Sequence, residues 1–545
     1  MKNCDFINND ANGSGGGVCW IGANGTLTDS NFHNNSADWG GGIHWKGYKG
    51  TLTDSNFTGN SAITRGAGVR WDGSNGILSN SIFIENNCDE HGGGVSWNGY
   101  TGILNNSTFI GNNATHGAGA HIAGNCANFT IIGSTFISNT ASDSAGIAWD
   151  GANGTLINST LINNAATSYG GGVSFVIGGV NGIVRGCTFI GNTAEFGGAV
   201  YWTSVNSTMF DCNFTNNHAV HGNNVYWIWT ADDFLKKYNQ IHDYDYVYIL
   251  NGIGTPNSTI VLNKKGIIIS GEGEVTFDAK GGNVHFEVTE EDVLIEKITF
   301  RNFNFTNGSG GAIQWNGTNG VLKNCKFINN SAVFGGGISW NGANGTLTES
   351  SFTNNQATHG GAVSWGSANG VLTGCTFTNN TANLYGGGVF MGSVNDTLSY
   401  CTFIGNHAVQ AAGVYYNCNN GTLTGCTFTN NTATQWGGGV FFNRAGGLSN
   451  SIFTGNSANW NGGAIFWHVG NGYIVNCSFV NNKWIKSNGV YCNFDLIING
   501  GNGIVNIFTE GTLSGISVVV LNNETYYYPP NTNINLPNKK IKNKR

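Results

Sequence analysis

Histidines, carboxylates and cysteines are the side chains in this sequence equipped for chemistry, and their spacing decides which chemistry is open to them. Asp29 and Asp54 hold the same place in two copies of T-L-T-D-S-N-F, and Asn80 and Asn106 continue the series. Two stacked carboxylates are the beginning of a site for a hard cation. Hydrolysis or elimination on a polysaccharide asks for more, namely clustered acids with a second acid or a basic partner. Asp72 and Asp150 each follow a tryptophan, but Asn98 stands at that place between them, and Asp38, Asp143 and Glu195 are scattered. No stretch concentrates three acids with a base, so the acids read as solvated turn residues and no catalytic residue is expected. His44, His91, His116, His121, His218, His359 and His407 take varied positions with no fixed partner and read as surface imidazoles. Gly15-Gly16-Gly17 precedes a strand-like run and lacks the Lys-Ser/Thr of a phosphate loop. The 13 cysteines contain no CxxC pair, so no zinc site is expected. Neither a metal nor a cofactor is predicted.

Composition narrows the scaffold. Of 545 residues 86 are glycine and 4 proline; 40% are hydrophobic, 12% aromatic and only 10% charged. Disordered chains are charged and poor in aromatics, and collagen needs proline and a strict three-residue glycine period, so both are excluded. So much Gly, Asn and Thr works against helix interiors. A net charge of −7 offers no basic footprint for nucleic acid. No apolar run is long enough to span a membrane, and no secretory leader is legible. A large β-rich chain built of repeats remains.

The repeat is anchored by the phenylalanine of an x-F-x-x-N stretch. Anchors fall at Phe6, Phe32, Phe57, Phe83, Phe109, Phe136, Leu161, Phe189 and Phe214, and resume at Phe327, Phe352, Phe377, Phe403, Phe428, Phe453 and Phe479. Each copy of about 25 residues reads as three short strands, G-G-V-x-W, G-T-L-T and [C/S]-T-F, with Gly and Asn-Gly at the corners. Alternation puts Val, Leu and Phe on one face. One copy cannot bury its apolar face alone, so the copies must stack as a parallel β-solenoid, like residues about 4.8 Å apart. Asn stands three residues after every anchor, as Asn9, Asn35, Asn60, Asn112, Asn330, Asn380 and Asn431, and such a column is predicted to bond along the axis as a ladder. Two residues before the anchor stands Ser or Cys, read as a small residue in a tight corner rather than as a disulfide framework.

The position x of G-G-V-x-W is expected to face outward. It is mostly small or polar early on (Cys19, His44, Arg70, Ser96, His121, Ala148, Ser174) and becomes Phe390, Tyr415, Phe441, Phe466 and Tyr491 in the last copies. An exposed aromatic stripe of this kind would be a binding surface for a glycan or a partner protein. About two dozen N-x-S/T sequons, among them Asn24, Asn153, Asn344 and Asn420, would accept glycans on an exported chain.

The paired signatures G-G-A-[IV] and F-x-x-N, here Gly198-Ala199-Val200 with Phe189-Ile190-Gly191-Asn192 and Gly311-Ala312-Ile313 with Phe327-Ile328-Asn329-Asn330, resemble the polymorphic outer-membrane protein repeat of chlamydial surface proteins. The fuller G-G-G-V-x-W-N-G-A-N-G-T-L-T pattern is similar to the adhesin-like surface proteins of methanogenic archaea. The resemblance covers roughly residues 1–228 and 245–492. It implies an all-β, right-handed parallel β-helix of the pectate-lyase-like kind at the cell surface or outside the cell, acting in attachment to polysaccharide or surface protein without catalysis. A β-helix polysaccharide lyase or hydrolase and a purely structural stalk are the alternatives.

The pattern breaks after Tyr226-Trp227. Residues 231–242 read as an amphipathic helix capped by Asp232, with Phe234, Leu235, Tyr238 and Ile241 on one face. The expected organisation is therefore a first array over 1–228, a helical cap and restart over 229–300, a second array over 301–492, and a β-rich segment over 493–545 that looks like a truncated immunoglobulin-like module with a basic tail. The opening residues match Asn324-Cys325-Lys326-Phe327-Ile328-Asn329-Asn330, so the chain is expected to be a piece of a longer protein.

Overall fold

The computed structural model describes residues 1–483 apart from 177, 205 and 469–471, and beyond them only the backbone of strands lying between 483 and 535. The chain divides into two units, Met1–Trp229 with Asn239–Tyr248, and Thr230–Tyr238 with Ile249–Arg545. Each is a parallel β-helix. No helix among the described residues is long and apolar enough to cross a membrane.

One coil serves for all. Its phenylalanine strand is Asn31–His33, its tryptophan strand Ile43–Trp45 and its leucine strand Thr51–Thr53, the three expected elements. A fourth strand, Ser36–Trp39, lies between the first two. It escapes a hydrophobic-pattern reading because its one inward residue is Ala37, too small to mark a periodicity. Successive coils pair in parallel with like over like: Phe32 opposite Phe57, Ala37 opposite Ala62, Leu27 opposite Leu52. The inward side chains stack as columns, Phe32 on Phe57 at 4.7 Å and Trp45 on Trp71 at 4.8 Å, with the rings within 5° of parallel. The glycine after most tryptophan corners makes room for that column, since a Cβ on Gly50 would overlap the Trp45 indole.

Between leucine and phenylalanine strands the chain turns on a single left-handed residue. Asp29 and Asp54 stand there with φ of 51°, and Asn80 and Asn106 with φ of 47°. Asp, Asn and Gly tolerate this conformation best. The acid column is thus explained by backbone geometry, and its members bond locally: Thr53 Oγ1 donates to Asp54 at 2.8 Å, and Lys2 lies 3.5 Å from Asp29. The Ser/Cys column just beyond shares one role. Ser30 Oγ donates to the carbonyl of Thr28 at 2.9 Å, and Cys401 Sγ to that of Ser399 at 3.4 Å. Every cysteine among the described residues is a free thiol, and burial pushes the Cys325 thiol up to about 12.

From Asn35 onward the asparagines are buried, and they bond from coil to coil. Asn35 Nδ2 donates to Asn60 Oδ1 at 3.0 Å, Asn60 to Asn86 at 2.9 Å and Asn112 to Asn139 at 2.9 Å. Asn9 opens the series with a 2.7 Å bond to Asn35. In the second unit Asn330, Asn380 and Asn431 donate to Asn355, Asn406 and Asn456 at 2.9–3.0 Å.

The first unit closes on Asp245, whose side chain is fully buried and accepts from Val225 N, Trp227 Nε1 and His242 N, each at 2.9 Å. The second begins with a helix shorter than expected, Ala231–Lys237, followed by a 3-10 turn. Its cap is Thr230 rather than Asp232, two residues earlier in the chain than the sequence suggested: the Thr230 hydroxyl accepts from Asp233 N at 3.1 Å. Phe234 is buried against Phe277 and Phe286. Far along the chain, Val518–Leu521 and Glu524–Tyr527 pair antiparallel; the immunoglobulin-like expectation for 493–545 otherwise falls outside the described residues.

One interior carboxyl titrates. Asp396 replaces a corner glycine, is fully buried, and accepts from Gly370 N at 2.9 Å. Burial raises it to about 7. A carboxyl favoured neutral in the folded state stabilises fully below its unfolded pKa, and that contribution is lost as pH rises from about 4 to about 7, on the order of 4 kcal/mol across the window. Chemical denaturation at several pH values should show this slope, and D396N, which keeps an acceptor for Gly370, should flatten it.

Candidate binding face

The fourth strand and the tryptophan strand meet at a glycine in the left-handed region, Gly437 with φ of 66° for example, where a Cβ would strike the Val440 carbonyl. This turn is so tight that the last residue of one strand folds over position x of the next. The face therefore has two layers, an outer row and a covered row beneath it. Each outer ring lies over the covered ring of the following coil: Tyr385 over Tyr415 at 4.8 Å, Trp436 over Phe466 at 5.8 Å, His91 over His121 at 4.6 Å and Tyr169 over Tyr201 at 4.6 Å.

This corrects the expected stripe. Its side chains do point away from the inward Val and Trp, but they are not exposed: Tyr415, Phe441 and Phe466 keep 7%, 4% and 6% of their surface. Phe390 is partly buried against the same cluster, which Tyr385 and Trp436 cover. The side chain of Tyr491 lies outside the described residues. The outer row of the second unit runs one residue per coil in register: Phe334, His359, Tyr385, Gln410 and Trp436. Phe334 is 39% exposed, Tyr385 and Trp436 are half-buried, and Trp460, 50% exposed, meets Trp436 edge-on at 4.9 Å. A signal for this row exists in the sequence, a large side chain immediately before the turn glycine, as in Tyr385-Gly386 and Trp436-Gly437.

In the early coils of the first unit the same two layers are largely polar, and they turn aromatic at Tyr169 and Tyr201. The outer row runs Trp39, Arg65, His91, His116 and Asp143. Beneath and beside it, the histidines read as unpartnered find carboxylates in a neighbouring coil. His44 Nε2 is 2.6 Å from Asp72, His121 Nε2 is 3.2 Å from Asp150, and His116 Nδ1 is 3.2 Å from Asp143. Arg70, buried, lies 2.6 Å from Asp72 and donates to Ser96 Oγ at 3.0 Å. Burial works to raise Asp72, but the His44 hydrogen bond and the Arg70 charge outweigh it and hold the carboxyl below its ordinary range. Burial, reinforced by the charges of His121, Arg65 and His116, pushes His91 down to about 4. Acids and bases thus pair across coils, while His44 Nδ1, Arg70 Nε, His91 Nδ1 and His121 Nδ1 are buried without a hydrogen-bond partner. Among the described residues no group of three His, Cys, Asp or Glu is placed to hold a metal ion.

No curated protein matches the chain. Among solved structures, a pectin methylesterase in complex with a hexasaccharide aligns at 9% identity over 45% of this chain and 89% of its own, with a TM-score of 0.27. An alginate lyase of the PL6 family aligns at 8% identity over 93% of this chain and 96% of its own, with a TM-score of 0.24. Residues 311–484 match the family described as "Right handed beta helix region", and the other described coils are parallel β-solenoid coils of the same kind.

Proposed function

We propose that this chain is a non-catalytic attachment protein, displayed at the cell surface or outside the cell, that holds glycans on the aromatic outer row of its second unit. The observation that carries the reading is the row from Phe334 to Trp436, with Trp460 beside it, fixed in register on a rigid sheet and partly open to solvent. Aromatic rings in such a setting offer apolar area without an entropy cost for ordering, and exposed apolar patches on soluble folds mark interaction sites. The adhesin-like repeat signatures support the same reading.

The test is retention of polysaccharides from a panel of cell-wall and host glycans, with product release followed in the same wells. Trp460→Ala and Trp436→Ala should each weaken binding of a retained glycan by about 30-fold, the scale of an aromatic hot spot, with circular dichroism unchanged for the half-exposed Trp460. Undiminished binding by both variants would remove the site. A second reading is favoured by Asp72 held between Arg70 and His44, an acid with basic partners. It makes the chain a polysaccharide lyase or hydrolase, and product release abolished by Asp72→Asn would establish it in place of the first.

A further inference from the structure

The outer row of the second unit has a length, a direction and a charge. Its five positions are in parallel register, so they follow the solenoid axis at about 4.8 Å per coil, about 19 Å in all. The row is bounded by small polar residues, Ser309 before Phe334 and Asn461 after Trp436. Its fourth position is an amide: Gln410, between Tyr385 and Trp436, donates to Gln435 Oε1 at 3.2 Å.

Residues 331–470 contain only three formally charged side chains, Glu349, Asp396 and Arg444, and none belongs to the row. Glu349 is a left-handed corner residue between the leucine and phenylalanine strands, Asp396 is buried, and Arg444 follows the far end of the tryptophan strand. His359, the one titratable imidazole in the row, is held below its ordinary pKa by burial and is neutral at pH 7. The corresponding row of the first unit carries Arg65, His91, His116 and Asp143, so neutrality is a property of this unit and not of the fold.

A uronate or sulfated glycan laid on this face would desolvate a charge at each sugar with no counter-charge to meet it, which costs free energy. An uncharged sugar loses only apolar C–H surface to the rings and finds the Gln410 amide for a hydroxyl. A pyranose ring is close in length to one strand spacing. Resting on the reading of this row as a glycan surface, we infer that its ligand is an uncharged, extended polysaccharide lying parallel to the solenoid axis, one sugar per coil from Phe334 to Trp436.

The test titrates the full chain calorimetrically with β-1,4-linked glucose, xylose and mannose oligomers, from dimers to octamers, and with oligogalacturonates of the same lengths, at low and high salt. Affinity for at least one neutral series should climb about tenfold or more from dimer to pentamer, stay flat beyond it and ignore salt, while oligogalacturonates bind at least tenfold more weakly. Phe334→Ala, at the exposed end of the row, should shorten the plateau to the tetramer. Oligogalacturonate binding that matches the neutral series and weakens with salt overturns the uncharged ligand. A plateau already at the dimer overturns the axial footprint. Either result leaves the site in place if Trp436→Ala still weakens binding by about 30-fold. Binding indifferent to Trp436→Ala, or none from any series, overturns the site itself.

Discussion

Asn380→Ala should destabilise the second unit by about 3–5 kcal/mol, and Asn380→Asp by more at neutral pH. The amide of Asn380 donates to the Phe352 carbonyl at 3.0 Å and to Asn406 Oδ1 at 3.0 Å, while its oxygen accepts from Asn355 N at 2.9 Å and Asn355 Nδ2 at 3.0 Å. Alanine leaves two donors and a carbonyl buried without those partners, each worth about 1–3 kcal/mol when orphaned. Aspartate keeps the acceptor but sets a carboxylate against two oxygens where two N–H groups stood. Its proton is then favoured in the folded state, so Asn380→Asp should regain stability as pH falls. Hydrogen exchange resolved to the coils of Asn355 and Asn406 is the measurement, because in a stack of nearest-neighbour contacts the loss is local before it is global.

The second large effect is at the end of the first unit. Asp245→Ala removes the acceptor shared by Val225 N, Trp227 Nε1 and His242 N, and should cost about 3–5 kcal/mol. With it gone, the N–H groups of Val225 and Trp227 on the Val225–Thr230 strand lose their acceptor, and a strand loosened from its neighbours is a template for pairing with another chain. Light scattering during mild heating should rise earlier than in the parent, with faster exchange over 225–230. Asp245→Asn, which keeps one oxygen but turns an N–H₂ toward donors, should recover only part of the loss.

What the sequence made legible follows from identity between coils. Phe32, Phe57 and Phe83 declare a period, and once stacking is inferred every column is inferred with it. Relations between unlike residues were hidden. His44 meets Asp72 and His121 meets Asp150 across 28 and 29 residues, a little more than one period, so neither pair shares a column in an alignment of repeats. The fourth strand was hidden because Ala37 and Ala62 carry too little apolar contrast. Strand alternation correctly turned Phe441 and Phe466 away from the inner core, but it has no term for a chain that doubles back and covers the other face. The helix start was misplaced because Thr230 and Asp232 are both good caps, and the choice depends on the strand Val225–Thr230 that delivers the chain.

The overlap of outer and covered rows gives the stack an order in time. Tyr385 covers Tyr415, and Trp436 covers Phe466, always from the preceding coil. A chain emerging N-terminus first therefore presents each new coil with a finished edge and a roof already waiting for its x side chain. Growth in the opposite sense would leave each of these rings bare until the coil before it arrived. The overlap therefore favours winding from the N-terminus, the direction of synthesis, over winding from the other end.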